Sequence, residues 1–239
     1  MEVEVCASNP NSVLAAIEAG AHRLELCSEL GIGGITPSYG FIKQTMKTAT
    51  MPVNVLIRPR GGDFTYSDAE FEIMKTDIAV CKEMGCSGIV SGVLNDDQTI
   101  DTERTQTLIA LSRPLSFTFH RAFDWTPDPY IALNSLIQLN VNRILTSGQE
   151  PSAEKGIFVL QRLKKLANGK VIILPGGGIN AENISIFRQH GFDEIHCSAV
   201  MGHKTLPIQK ISLNSPKFLD ESYSYSTNVE LLKSIIAQF

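Results

Sequence analysis

Short β runs and helical runs alternate from one end of this 239-residue sequence to the other, eight times over. The β runs fall at Val3–Cys6, Arg23–Cys27, Val53–Arg58, Gly88–Ser91, Leu115–His120, Arg143–Thr146, Val171–Leu174 and Glu194–Cys197. A helical segment follows each. Asn9-Pro10 reads as the N-cap and first residue of a helix that ends at Gly20. Further helices are predicted near Phe41–Lys47, from Ser67 to Met84, over Asp101–Leu111, Asp128–Leu139, Ser152–Ala167 and Asn180–His190, and onward from Thr227. Ser67-Asp68-Ala69-Glu70 and Thr227-Asn228-Val229-Glu230 both carry capping-box spacing. A strand with its crossover helix takes about 30 residues, and eight such units fill the chain. The pattern predicts an α/β fold, a single-domain (β/α)8 TIM-type barrel over residues 1–239.

A doubly wound open sheet is the competing architecture, and it generally carries a GxGxxG turn after its first strand. Here Cys6 is followed by Ala7-Ser8-Asn9-Pro10, without glycine. No linker or repeat divides the chain. The stretch Ser198–Ser226 exceeds an ordinary βα loop and reads as an irregular lid or dimer segment, with Phe218, Tyr223 and Tyr225 available to a second subunit. Lys and Arg total 21 against 25 Asp and Glu, a net charge of −4, which argues against a sequence-independent nucleic-acid binder. No run approaches the ~18 apolar residues of a membrane span. The acidic start lacks the basic and apolar regions of a signal peptide. Five scattered cysteines, none in a CxxC pair, read as reduced thiols in the cytoplasm.

Side chains alternate along a strand. If the apolar set meets the helices, Glu2, Glu4 and Cys6 of the first strand face the barrel axis. Arg23, Glu25 and Cys27 do so on the second, Asn54, Leu56 and Arg58 on the third, Ser116, Thr118 and His120 on the fifth, and Glu194, His196 and Ser198 on the eighth. This interior is more polar than the Val, Ile and Leu layers usual in such barrels. Buried charge must be paired, so Glu2, Glu4, Arg23 and Glu194 are expected to form a structural ion-pair network at the floor. Barrel active sites lie at the strand C-termini, which directs attention to Cys6, Cys27, Arg58, His120 and His196, with Glu25 one layer deeper.

Several strings then bear on identity: Arg23-Leu24-Glu25-Leu26-Cys27-Ser28, Gly33-Gly34-Ile35-Thr36-Pro37-Ser38, and Ile57-Arg58-Pro59-Arg60-Gly61-Gly62-Asp63-Phe64. Thr118-Phe119-His120-Arg121-Ala122-Phe123-Asp124, Leu145-Thr146-Ser147-Gly148, Leu174-Pro175-Gly176-Gly177-Gly178-Ile179 and His196-Cys197-Ser198-Ala199 follow in order. Together they resemble the CutC family of copper homeostasis proteins, from residue 1 to about 200. The resemblance implies a cytosolic barrel, often a homodimer, associated with copper tolerance and Cu(I) binding. It places the family's copper thiolates at Cys6 and Cys27.

The chemistry of the candidates is open to more than one reading. Thiolates on adjacent strand ends could meet one soft ion such as Cu(I), with Arg58 or a protonated His lowering the thiol pKa values; buried cysteines also simply fill space. Arg58 and Arg60 could clamp a carboxylate or phosphate, or an Arg–Asp pair with Asp63 could order the loop. His120, close to Asp124, could serve as a general acid or base, or as a structural imidazole. Gly176, Gly177, Gly178 and Ser198 could cradle an anion with backbone N–H groups, or only turn the chain. Cys81 and Cys86 read as packing residues, Cys197 as facing the helices, and His22, His190 and His203 as surface residues. Two functions result. One is a copper-handling protein. The other is an enzyme on a small anionic metabolite, using Glu25, His120 or His196 for proton transfer and Arg58 for the substrate's acid group.

Overall fold

The computed structural model describes residues 1–204 and 223–238. Eight parallel strands lie side by side in chain order: β1 (Glu2–Ala7), β2 (Arg23–Leu26), β3 (Val53–Leu56), β4 (Gly88–Ser91), β5 (Ser116–Phe119), β6 (Arg143–Thr146), β7 (Ile172–Pro175) and β8 (Glu194–Cys197). β8 pairs with β1, and β7 meets β8 through the parallel bridge Gly176–His196, so the sheet curls into a nearly closed barrel. Helices α1 (Pro10–Ala19), α2 (Tyr39–Thr48), α3 (Asp68–Glu83), α4 (Thr102–Ser112), α5 (Pro129–Gln138), α6 (Ile157–Ala167), α7 (Ile184–Gln189) and α8 (Val229–Ile236) form the outer layer. This is the single-domain (β/α)8 architecture that the eightfold alternation predicts.

Local chemistry starts and stops these elements. Asn9 accepts the Ser12 N–H, Pro10 fits the first turn of α1, and Gly20 ends it in the left-handed region. Ser67 and Glu70 close the reciprocal capping box of α3. Outward side chains Val3, Val5, Leu24, Leu26, Val55, Phe117, Phe119 and Ile195 join one buried apolar layer beneath the helices. Full burial of such a side chain contributes about 1.5–3 kcal/mol. The inward positions Cys6, Cys27, Leu56 and Val90 form a separate small cluster on the axis.

Several boundaries differ from the sequence expectation. α2 opens earlier, at Tyr39, because Ser38 Oγ accepts the Phe41 N–H at 3.2 Å. α6 opens at Ile157 rather than Ser152, since Gly156 is pressed against the backbone of Ser147, where a Cβ would lie 1.9 Å from the Ser147 carbonyl oxygen. α7 opens at Ile184 rather than Asn180, because the Asn180 side chain accepts the N–H groups of Glu182 and Asn183 and holds a turn there. The cap of α8 is Asn228, not Thr227. Thr227 ends a further strand and donates its hydroxyl to the Ser198 carbonyl. Nor are the ends of the Ser198–Ser226 stretch irregular. β9 (Val200–Lys204) and β10 (Tyr223–Thr227) pair as an antiparallel ribbon. That ribbon is fastened to the start of α1 by Asn9 Nδ2 donating to the Tyr225 carbonyl at 2.7 Å and by Thr227 N–H donating to Ser12 Oγ at 2.9 Å. Phe218 lies outside the described residues.

Candidate functional site

At the N-terminal ends of the strands the charges close on one another. Arg23 donates from Nε to Glu4 at 2.6 Å, from Nη1 to Glu2 at 3.0 Å and from Nη2 to Glu194 at 2.5 Å. Arg143 adds a second cation on Glu194 at 2.7 Å, and Asn54 donates to Glu4 at 3.1 Å. Burial alone raises the pKa of the fully buried Glu4; the hydrogen bond to His196 and the Arg23 charge outweigh it and hold the carboxyl at about 2. This is the expected floor network of Glu2, Glu4, Arg23 and Glu194, extended by Arg143, Asn54 and His196.

One layer higher, alternation brings Cys6, Glu25 and His196 together, and their ligand atoms lie within 4.8 Å of one another. His196 Nδ1 sits 2.9 Å from Glu4 Oε1 and 3.9 Å from Glu25 Oε2. Burial pushes the imidazole pKa down, yet Glu25 and Glu4 together raise it above the usual histidine value. Burial pushes the Glu25 carboxyl up to about 7, against the opposing pull of His196. Cys6 Sγ lies 3.8 Å from Glu25 Oε1 and 3.3 Å from Cys27 Sγ. The two inward cysteines therefore meet. The surroundings of Cys6 do not lower its thiol pKa, contrary to the sequence expectation. The hydrogen bond to Cys27, burial, and the nearby Glu25 and Glu4 carboxylates raise Cys6 well above the ordinary thiol range. Arg58 and His196 do not reverse this. Gly34, at φ +84, roofs Cys27: a Cβ there would lie 2.8 Å from Leu56 and 3.3 Å from the Cys27 Cβ.

Above this layer opens a cavity of about 630 Å3. Cys6, Glu25, Arg58, His120, His196, Gly177, Gly178 and Ser198 all contribute to its lining. Arg58 is buried, with its fork pinned by carbonyls: Nη1 donates to Ile32 and Gly34, and Nη2 to Gly62. Phe64 lies against its guanidinium at 5.0 Å. Among the described residues Arg58 forms no ion pair with a carboxylate, and its Nε has no hydrogen-bond partner. His120 Nδ1 accepts the Ala122 N–H at 3.1 Å, which leaves the proton on Nε2, itself buried without a partner. Burial, aided by the Arg58 charge, lowers the His120 pKa to about 3 and keeps the ring neutral. It can donate a hydrogen bond but is a poor base at neutral pH.

Three predicted positions do not line the cavity. Arg60 is turned from the cavity to Glu70 at 2.6 Å and Asp63 at 3.0 Å, the loop-ordering arrangement. Gly176 packs behind the turn, where a Cβ would meet Leu145 at 2.5 Å. Cys27 is wholly buried behind Cys6. Sequence reasoning gave no binding role to Arg121, Trp125 and Phe64, which also line the cavity. Arg121–Trp125 is a 3-10 turn directly after β5, and the i,i+3 spacing of Arg121 and Asp124 was the available signal. The chain also keeps Cys81 and Cys86 buried, and Cys197 in the layer beneath the helices.

Barrel closure, a charge-locked floor and a polar cavity at the strand C-termini define a (β/α)8 protein whose site lies in the barrel mouth. The chain belongs to the CutC family, whose model matches residues 1–201. A family protein CutC from Photorhabdus laumondii is 41% identical over 242 residues, covering 99% of this chain and 97% of its own length. A human protein named copper homeostasis protein cutC homolog is 46% identical over 198 residues, covering 82% of this chain and 72% of its own. A crystal structure of CutC from Streptococcus agalactiae superposes with a TM-score of 0.77 at 36% identity, covering 82% of this chain and 97% of that one. An aldolase at 14% identity and a TM-score of 0.61 shares the barrel alone. No helix among the described residues is long and apolar enough to cross a membrane.

Proposed function

We propose that this protein takes part in the control of intracellular copper by holding Cu(I) between Cys6 and Cys27. The names of the human and mouse relatives point that way. The observation that carries the reading is the 3.3 Å separation of the two sulfurs, with Cys6 lining the cavity and Cys27 buried directly behind it. Thiolate sulfur is a soft donor and selects Cu(I) over hard cations. Both thiols must lose their protons to the solvent or to a neighbouring base for the ion to bind, so binding weakens as the pH falls. Five free cysteines fit a reducing compartment such as the cytoplasm. In a Cu(I) competition titration the Cys6→Ala, Cys27→Ala double variant loses stoichiometric binding; an affinity equal to that of the wild type defeats the reading. A homodimer through the exposed Tyr223 and Tyr225 of β10 belongs to the same proposal, and a monomer in sedimentation velocity removes it.

A second reading rests on a different observation. A lone ion needs far less than 630 Å3, a volume in the range of sites for small organic ligands, and the Arg58 charge has no carboxylate partner among the described residues. In this reading the protein is an enzyme on a small anionic metabolite. Arg58, the Gly177–Gly178 turn and Ser198 face the acid group, Glu25 and His196 exchange protons with the substrate near neutral pH, and His120 donates from Nε2. A ligand at about 100 times its dissociation constant adds about 2.7 kcal/mol to stability. A thermal-shift screen of anionic metabolites in which none stabilises the protein defeats this reading.

A further inference from the structure

We infer that Arg121, not Arg58, is the group that grips the anion of a small oxyanion-bearing ligand, a phosphate or a carboxylate, with Trp125 and Phe64 packing against the ligand's carbon body. The inference rests on the second reading above and assigns its binding residue.

Arg58 is poorly placed to grip anything. Both of its terminal nitrogens are committed to carbonyls, and Nε is buried. It supplies charge to the cavity rather than a fork. Arg121 is the reverse case. Its side chain is 45% exposed and lines the same cavity. Asp124 receives Nε at 2.7 Å, and Ser147 Oγ receives Nη2 at 2.9 Å, so the guanidinium plane is fixed from behind. Asp124 is itself held by the Thr146 hydroxyl and by the N–H groups of Ser147 and Gln149. Nη1 remains, and no described residue accepts from it. It points to the Gly177 turn: a Cβ built on Gly177 would lie 3.4 Å from Nη1 and 3.3 Å from the Ser147 Cβ. Gly177 at φ +111 lets the backbone lie close against the guanidinium, and the exposed part of Arg121 presents a preoriented donor to the cavity. Asp124 neutralises part of the Arg121 charge, and Arg58 adds to the same cavity a charge with no carboxylate partner among the described residues.

On the same rim Phe64 stacks edge-on to Trp125 with ring centroids 4.9 Å apart, and Trp125 remains 48% exposed. An aromatic pair beside a fixed guanidinium suits a ligand with one anionic end and a short carbon body. Glu25 and His196 line the same cavity and are available to the ligand's other end.

Trp125 is the single tryptophan of the chain, so its fluorescence reports on this rim alone. Full-length protein is titrated at low ionic strength with inorganic phosphate and, separately, with malonate, which tells the two oxyanion types apart. The expected result is a saturable change with at least one probe. Arg121→Gln weakens it about tenfold or more, the loss expected for one charge-assisted hydrogen bond. Arg121→Lys retains part of the affinity, and Arg60→Gln, outside the cavity, retains all of it. Wild-type affinity in Arg121→Gln overturns the inference. If Arg58→Gln alone abolishes binding, the inference falls while the anionic reading stands; if neither probe binds the wild type, both fall. Should Arg121→Gln not fold, modification of wild-type Arg121 by phenylglyoxal, mapped by mass spectrometry, decides: the probe that binds the wild type slows it if Arg121 holds the anion, and an unchanged rate overturns the assignment.

Discussion

The two ends of the barrel axis handle buried charge in opposite ways. At the floor, Arg23 satisfies three carboxylates and Arg143 backs one of them. At the mouth, His120 Nε2 and Glu25 Oε2 have no hydrogen-bond partner among the described residues, and the Arg58 charge has no carboxylate there. A closed network of that kind specifies structure, while open valences around a cavity are what a ligand can satisfy. The same polar interior thus divides into a part that closes on itself and a part that lines the cavity.

The largest expected break in this comparison is Arg23→Met. It leaves Glu4 and Glu194 buried without their main counter-charge, and removing one partner of a buried pair costs about 3–5 kcal/mol. The urea midpoint should fall accordingly, and a change under about 1 kcal/mol would contradict the structural role given to the floor. Next is Gly34→Ala, where the left-handed backbone and the contact with Leu56 together cost about 1–3 kcal/mol; its Cu(I) affinity should fall as well, because the added methyl presses on the Cys27 Cβ. Arg58→Met should destabilise less than Arg23→Met, since it removes an unpaired charge with its hydrogen bonds. Its distinctive effect is spectroscopic: the His120 imidazole, released from the Arg58 charge, should titrate closer to 6.5 by NMR. An unmoved titration would show that burial alone governs this ring.

A further break lies in the acid limb of stability. His120 binds a proton in the unfolded chain near 6.5 but only near 3 when folded, so its contribution is full above 6.5 and is lost as the pH falls toward 3. Glu4, lowered from 4.5 to about 2, adds a loss that begins near 4.5 and completes near 2. His196, raised on folding, works the other way: its contribution is present below 6.5 and fades as the pH rises through its folded value. His120→Gln should therefore flatten the upper part of the acid limb, between about 6.5 and 4.5, where Glu4 does not yet titrate. Urea midpoints measured across that interval check it, and an unaltered slope would remove His120 from the account.

Much of this architecture was legible because a strand alternates with period two. Val3 and Val5 turned outward fix Glu4 and Cys6 inward, and the same rule on β2 brings Cys27 to Cys6. What sequence could not convey was commitment. Arg58 and Arg60 look alike in Arg58-Pro59-Arg60, yet one enters the cavity and the other is captured by Glu70 on α3, a contact fixed only by tertiary packing. The sign of the thiol shift was misread for a related reason. The Arg58 guanidinium is engaged by backbone carbonyls, while the hydrogen bond to Cys27 and burial raise the Cys6 thiol, with the Glu25 and Glu4 carboxylates adding to them. Arg121 was passed over because its orientation depends on Ser147 and Asp124, from two separate loops.

The seam of the ring has its own consequence. β7 and β8 share no ladder, only the Gly176–His196 bridge, so this joint carries fewer cross-strand hydrogen bonds than the neighbouring ladders. Local opening should be easiest where such bonds are fewest. His196, the imidazole wedged between two carboxylates, hangs from that joint. Amide exchange along residues 194–198 should therefore outpace that of β2 and β3, which are laddered on both sides, and weakening the His196–Glu4 contact at the joint should quicken it further.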